Sequence, residues 1–393
     1  MNRRSVPAAV FAAAVLLCLL LFGGCGSTEA APTVTPEPTP CLHEVWENGI
    51  CAQCGMVCEH SSFTEEGVCE SCGFLCPHTA HSAEDARCLL CGRRMLHTYD
   101  GNDLCVCGRT APAADGYLDP ALFEECPEQG SLVTLLYPTP NYLSGDEEEI
   151  KKPLYAYLPY GYDYNAEQRY NVLILMHGSA GDEDYWLMSS QDYDSSHEIY
   201  VPNLLDWLIY LGEIEPCIVI TPTYRNPGTW WDGGVGSDSY QFGSELRSSL
   251  LPFIVENFRT WAEDGSEAGL VAAREHFAIA GASYGSMIAY NAGWYRNFDL
   301  FAWYGALSGS GISGGDLAAA MERSGLPLGF LYACAGDNDS ELTTSRATYD
   351  ALLSEVPSLK DGEDCVFELV PDASHDIRVW ENGLVRALLH FFR

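Results

Sequence analysis

The sequence predicts an α/β protein: a doubly wound, mostly parallel sheet with helices on both faces, behind a small region of Cys/His repeats. Three observations carry this. From Ser131 onward, short apolar runs alternate with longer amphipathic segments, the order that builds strand–helix–strand units. Several runs, such as "VLILM" at 172–176 and "CIVI" at 217–220, are apolar at every position, as strands buried on both faces require. Before residue 110 the chain instead repeats a Cys and His pattern with too few apolar residues for a core.

The 393 residues carry 55 acidic and 20 basic side chains, a formal charge of −35. Such a surface repels polyanions, so no nucleic-acid partner is expected. Asn2-Arg3-Arg4, an apolar run over 6–22 and the small pair Gly23-Gly24 before Cys25 describe an export signal over residues 1–24. The small pair before cysteine resembles the bacterial lipobox, although Phe22 stands where that pattern prefers Leu. The resemblance implies an exported protein lipid-anchored at Cys25 on the extracellular face of a bacterial membrane. An ordinary signal peptide or an uncleaved anchor is the alternative. Residues 25–40, rich in Pro and Thr, read as an extended, solvated linker.

Residues 41–109 hold an internal repeat. Cys41-x-His43 is followed by Cys51-x-x-Cys54-Gly55, Cys58-x-His60 by Cys69-x-x-Cys72-Gly73, and Cys76-x-His78 by Cys88-x-x-Cys91-Gly92. Each unit offers three sulfurs and one imidazole, the closed donor set of a structural tetrahedral Zn²⁺. The glycine after the second Cys suits a tight ligand knuckle. Units this short need metal to supply folding energy. A fourth unit is degenerate: Met95 replaces its first Cys, His97 is kept, and Cys105-Val106-Cys107-Gly108 is one residue short. Disulfides are the rival reading. The odd count of eleven cysteines from Cys41 to Cys107 and the histidine kept in register argue against it. The region resembles zinc-ribbon-like repeats of exported bacterial proteins. Residues 110–130 read as a second linker.

Residues 131–393 form the larger domain. Strands are expected at 131–137, 153–159, around 171–176, at 217–222, around 277–281, and in "FAWYGALSG", "LGFLYACAG" and "CVFELVP"; helices at 201–211, 244–258, 285–293 and 382–392. Cys217, Cys334 and Cys365 are too far apart for metal spacing and read as buried thiols or one disulfide pair.

Ser283 lies in Gly281-Ala282-Ser283-Tyr284-Gly285, between an apolar strand and a helix. Two glycines make room for a strained turn that lifts the hydroxyl above the sheet and aims the helix N-terminus at it. A nucleophilic serine needs a base and an orienting carboxylate, in the chain order Ser, acid, His. Downstream, His390 falls in the apolar final helix and reads as structural. His375, in a loop after a strand, is the candidate base. Asp337 and Asp339 both follow the "LGFLYACAG" strand. Backbone N–H groups near Ser179 and at Tyr284 are the candidate oxyanion donors. His177 reads as a hydrogen-bonded turn residue, and Asp182 and Asp184 as solvated or structural. Trp230 and Trp231 stack on an aromatic acyl group or sugar, or pack onto the core. Catalysis of this kind needs no cofactor.

The segments "KKPLYAYLPYGYD", "LILMHGSAGDEDYW", "GASYG", "GDNDS" and "SHDIRVW" resemble the esterase D group of α/β-hydrolases, which includes feruloyl esterases of the carbohydrate esterase family 1 type. His375-Asp376 followed by Trp380 is particularly similar to xylan-degrading feruloyl esterases. Tyr284 and Ser286 depart from the Met and Gly common there. The resemblance implies a serine esterase acting on feruloyl or acetyl esters of plant polysaccharide, and it selects Asp339 as the triad acid. Siderophore, lipid or other small esters are the alternative substrates. A wall-binding lipoprotein with an inactive hydrolase domain is the alternative of another class.

Overall fold

The computed structural model describes residues 46–47, 50–52, 58, 60, 62–64, 67–142, 148–163, 166–188, 199–226 and 237–393. The export signal, Cys25, the first linker, the ligands Cys41, His43 and Cys54, and the pair Trp230-Trp231 lie outside the described residues.

Eight strands build one sheet: β1 (Ser131–Pro140), β2 (Glu149–Leu158), β3 (Asn171–Met176), β4 (Cys217–Pro222), β5 (Phe277–Ala282), β6 (Trp303–Leu307), β7 (Phe330–Gly336) and β8 (Cys365–Val370). Their spatial order is β8-β7-β6-β5-β3-β4-β2-β1. β2 runs antiparallel to both β1 and β4, and every other neighbour pair is parallel. This is the α/β-hydrolase fold. The central strands are apolar throughout because both faces are covered. Val172, Ile174 and Met176 enter one core, and Leu173 and Leu175 the other.

Helices α1 (Val201–Tyr210), α2 (Ser237–Glu245), α3 (Leu251–Asn257), α4 (Glu267–Ala272), α5 (Tyr284–Ile288), α6 (Gly314–Ser324), α7 (Leu342–Glu355) and α8 (Ile377–Leu388) fill the connections. α1 and α8 cover the Leu173 face; the other six lie on the Val172 face. Between α2 and α3 the backbone widens to π form over Leu246–Leu250, just before Pro252, which has no N–H to donate. No helix among the described residues is long and apolar enough to cross a membrane.

Three expectations need adjusting. The helix expected at 244–258 begins seven residues earlier, at Ser237. The final helix begins at Ile377 rather than 382, because the Asp376 side chain accepts the Arg378 amide and caps it. It ends at Leu388, so His390 lies beyond it. That ring stacks on Phe330 at 4.2 Å, and burial pushes its pKa down to about 4. The segment 110–130 is a packed connection: Ala111, Ala113, Leu122 and Cys126 are buried, and Asn203 and Trp207 of α1 donate to the carbonyls of Phe123 and Glu124. Cys126, Cys217, Cys334 and Cys365 are free, buried thiols.

Candidate active site

β5 hands over to α5 at Ser283, whose φ of 56° and ψ of −118° lie where non-glycine residues rarely go. Such a conformation costs on the order of 1–3 kcal/mol and persists only where its surroundings enforce it. Here the Ser283 amide donates to Leu307 O at 2.8 Å. Ser286 Oγ lies 2.8 Å from Gly281 O and 2.9 Å from Leu307 O, pinning the turn from below. A Cβ on Gly281 would meet the Gly285 backbone at 2.5 Å, and one on Gly285 would meet Met176 O at 2.4 Å. Both positions therefore demand glycine for space.

The loops after β5, β7 and β8 converge. Ser283 Oγ is 2.9 Å from His375 Nε2, and His375 Nδ1 is 2.9 Å from Asp339 Oδ1. The same Asp339 oxygen accepts the Glu341 amide at 2.7 Å. Burial works against the Asp339 carboxylate, but the bonds from His375 and the Glu341 amide outweigh it and hold its pKa below the ordinary value. Burial likewise disfavours a charged His375, yet Asp339 more than offsets that and raises its pKa. Trp380, one turn into α8, packs edge-on against the His375 ring at 5.4 Å. Asp337 makes no bond to His375; it accepts the amide of Ala373 at 3.3 Å and the Asn338 side chain at 2.7 Å.

The loop after β3 borders the same hydroxyl. A Cβ on Gly178 would lie 3.3 Å from Ser283 Cβ. Ser179, Tyr284, Met287, Ser310 and Glu341 line a cavity of about 210 Å³ that opens onto Ser283. His177 is buried, 2.7 Å from Gly178 O through Nδ1 and 3.0 Å from Thr223 Oγ1 through Nε2. Burial drops its pKa to about 3, so it is a neutral turn residue. One residue escaped the sequence reading. Arg225, buried three residues past the end of β4, donates to Gly181 O at 2.8 Å, to Asp182 at 3.0 Å and to Ser179 O. It ties down the loop that carries Ser179. Its signal was an arginine three residues beyond a buried strand, in a chain with only 20 basic residues.

Residues 149–391 match the family described as "Putative esterase". The chain belongs to this family. It is a carboxylic ester hydrolase. Among curated proteins, Endo-1,4-beta-xylanase Y of Acetivibrio thermocellus is 33% identical over an alignment of 298 residues that covers 72% of this chain and 24% of that protein. The esterase chain thus spans about a quarter of that relative's length. The feruloyl esterase module from Clostridium thermocellum, solved as a mutant with sinapinate, is 27% identical with a TM-score of 0.56, over 70% of this chain and 92% of that one. A ferulic acid esterase from Anaeromyces mucronatus shares the fold at 18% identity and a TM-score of 0.54, over 70% and 97% of the two chains.

Ahead of the esterase domain, two predicted donor sets come together: Cys58, His60, Cys69 and Cys72, and Cys76, His78, Cys88 and Cys91. Cys58 and Cys69 sulfurs are 3.7 Å apart and His60 Nδ1 is 3.5 Å from Cys72; in the next unit the corresponding distances are 3.5 and 3.4 Å. A tetrahedron with bonds of about 2.0–2.3 Å has edges of about 3.3–3.8 Å, so both sets fit a zinc ion. The knuckles repeat: Gly73 and Gly92, at φ of 71° and 74°, donate to the carbonyls of Cys69 and Cys88. Of the first unit's four donors only Cys51 is described, and it is buried. The degenerate unit also gathers four donors, His97, Cys105, Cys107 and, unexpectedly, His81.

Proposed function

We propose that the esterase uses Ser283 as nucleophile, His375 as general base and Asp339 as the orienting carboxylate. The two 2.9 Å contacts that join them at a strained strand-to-helix turn carry this reading. His375 Nε2 takes the Ser283 proton as Oγ attacks the ester carbonyl. The tetrahedral oxyanion accepts from the backbone N–H groups of Ser179 and Tyr284, each worth about 2.7–4 kcal/mol in comparable sites. Collapse expels the alcohol, which leaves with the proton held on His375. Water, deprotonated by the same imidazole, then attacks the acyl-enzyme and frees the acid and Ser283.

The substrate is a feruloyl or acetyl ester on plant polysaccharide. Support comes from the named activities of the similar feruloyl esterase module and of the xylanase relative. Trp230 and Trp231, which follow the carboxyl end of β4 in sequence, are proposed to stack on the acyl ring or a sugar, because ligands bind outside the carboxyl ends of such strands. The Cys₃His sets hold structural Zn²⁺, and a lipid on Cys25 anchors the exported protein. Hydrolysis of methyl ferulate, acetylated xylan and short p-nitrophenyl esters tests the reading. Ser283→Ala should lower turnover by roughly 10⁶ while the melting curve persists. Wild-type turnover in that variant would remove Ser283 from the chemistry; hydrolysis of the p-nitrophenyl esters alone would remove the polysaccharide assignment.

A further inference from the structure

The degenerate fourth repeat lacks the Cys-x-His opening of its neighbours, yet four donors meet there. His81 Nε2 is 3.2 Å from Cys105 Sγ, and His97 Nδ1 is 3.4 Å from Cys107 Sγ. All four ligand atoms lie within 4.8 Å of one another. These separations are close to the edges of about 3.3–3.8 Å of a tetrahedral zinc site. His81 belongs to the third repeat by sequence, only three residues after His78. It reaches across to the place that Met95 leaves empty of a ligand. The knuckle survives the lost residue, because the Gly108 amide still donates to Cys105 O at 2.8 Å, with Gly108 at a φ of 90°.

This cluster sits in the contact with the esterase domain. His97 is fully buried. Its amide donates to Gly212 O at 2.8 Å, and its carbonyl accepts from Arg393 at 2.7 Å. Beside it, Glu213 is fully buried and takes Tyr99 OH and Arg109 Nε at 2.5 Å each, both from the fourth unit. Asp103, between His97 and Cys105, pairs with Arg386 of α8 at 2.7 Å. Gly212 comes so close to the third repeat that a Cβ there would lie 2.5 Å from Ala86 Cβ. A buried carboxylate whose charge-bearing partner comes from so small a unit is costly unless that unit is held rigid. Segments this short obtain rigidity from metal.

We infer that His81, His97, Cys105 and Cys107 bind a further Zn²⁺, a Cys₂His₂ site that joins the third and fourth repeats and clamps the array onto the esterase domain. The set is closed, with no open position, so the ion is structural. The inference is independent of the ester chemistry and of metal in the other repeats, because it concerns a difference of one ion between variants.

Native mass spectrometry of the full chain counts bound zinc. His81→Ala and Cys107→Ser should each lose one Zn²⁺, and the double variant should lose no more. His81→Cys, which restores a Cys₃His set like its neighbours, should keep the wild-type count. Hydrogen exchange reads the clamp: the His97 amide should lose protection at least tenfold in His81→Ala and keep it in His81→Cys. An unchanged zinc count in both loss variants would overturn the site. Unchanged protection of the His97 amide after zinc is lost would overturn the clamp.

Discussion

Asp339→Asn against Asp337→Asn separates two carboxylates that stand two residues apart. Asp339 is the one in contact with the imidazole, 2.9 Å from Nδ1, with a side chain shut off from solvent. An asparagine amide in its place can present N–H to Nδ1. That favours the tautomer protonated on Nε2, which cannot accept the Ser283 proton. In the serine-protease worked example this substitution costs about 10⁴ in turnover, and the same order is expected here for kcat on methyl ferulate. Asp337 accepts one backbone amide at 3.3 Å and one neighbouring side chain. Losing one such bond is worth about 1 kcal/mol, so Asp337→Asn should change kcat by less than roughly tenfold. The pH profile supplies a second readout. Asp339 raises the His375 pKa above its ordinary value despite burial. A protonated His375 cannot act as base, so kcat/KM falls as pH drops through that pKa. Removing the carboxylate withdraws the stabilisation of the imidazolium, and the acid limb should move to lower pH. The reverse ranking of the two variants, or an unmoved limb in Asp339→Asn, would refute the reasoning.

Arg225→Lys keeps the charge but cannot hold Gly181 O, Asp182 and Ser179 O at once; kcat should fall about 10–100-fold with KM nearly constant, by steady-state kinetics. Glu245→Ala leaves Lys152 buried without its carboxylate, which now lies 2.9 Å away. Unfolding in denaturant should show a loss of about 3–5 kcal/mol, with little change in kcat for the folded fraction. Mass spectrometry of the membrane-extracted protein should find Cys25 as the N-terminus bearing a diacylglyceryl thioether; an unmodified Cys25 there would reject the anchor.

Much of the domain was legible because its central strands are buried on both faces. β4 occupies the expected 217–222 and β3 the expected 171–176, since neither can end before its apolar run does. α6 and α7 left a weaker trace. Each buries only a narrow stripe, Leu317 and Ala320 in one and Tyr349 and Leu352 in the other, so their periodicity sinks into polar surroundings. The start of α8 was missed because a side-chain cap, not an apolar residue, sets it. At the site, chain order and turn chemistry pointed to Ser283 and His375, while the choice between Asp337 and Asp339 needed the resemblance. Arg225 and His81 act across sequence gaps: 46 residues separate Arg225 from Ser179, and 24 separate His81 from Cys105. No local pattern could report which residues either one reaches.

The two functional ends of the domain are set by the direction of its strands. Ser283, Asp339, His375 and Ser179 all follow the carboxyl ends of parallel strands, β5, β7, β8 and β3. Gly212 and Glu213, which receive the fourth repeat, precede β4 and so lie at the amino end of the same sheet. α8 connects them: Asp376 caps it beside His375, while Arg386 in its last turn and Arg393 beyond it hold the repeat unit. The described third and fourth repeats dock at the amino end, away from the cavity at Ser283. With the lipid anchor proposed at Cys25, they would stand between the tether and the catalytic face. Metal at His81, His97, Cys105 and Cys107 would then govern how firmly the array is held while the 2.9 Å contacts at Ser283 and Asp339 rest on the sheet itself. Zinc loss and turnover are for that reason expected to separate: the clamp loosens, and kcat on a small soluble ester stays where it was.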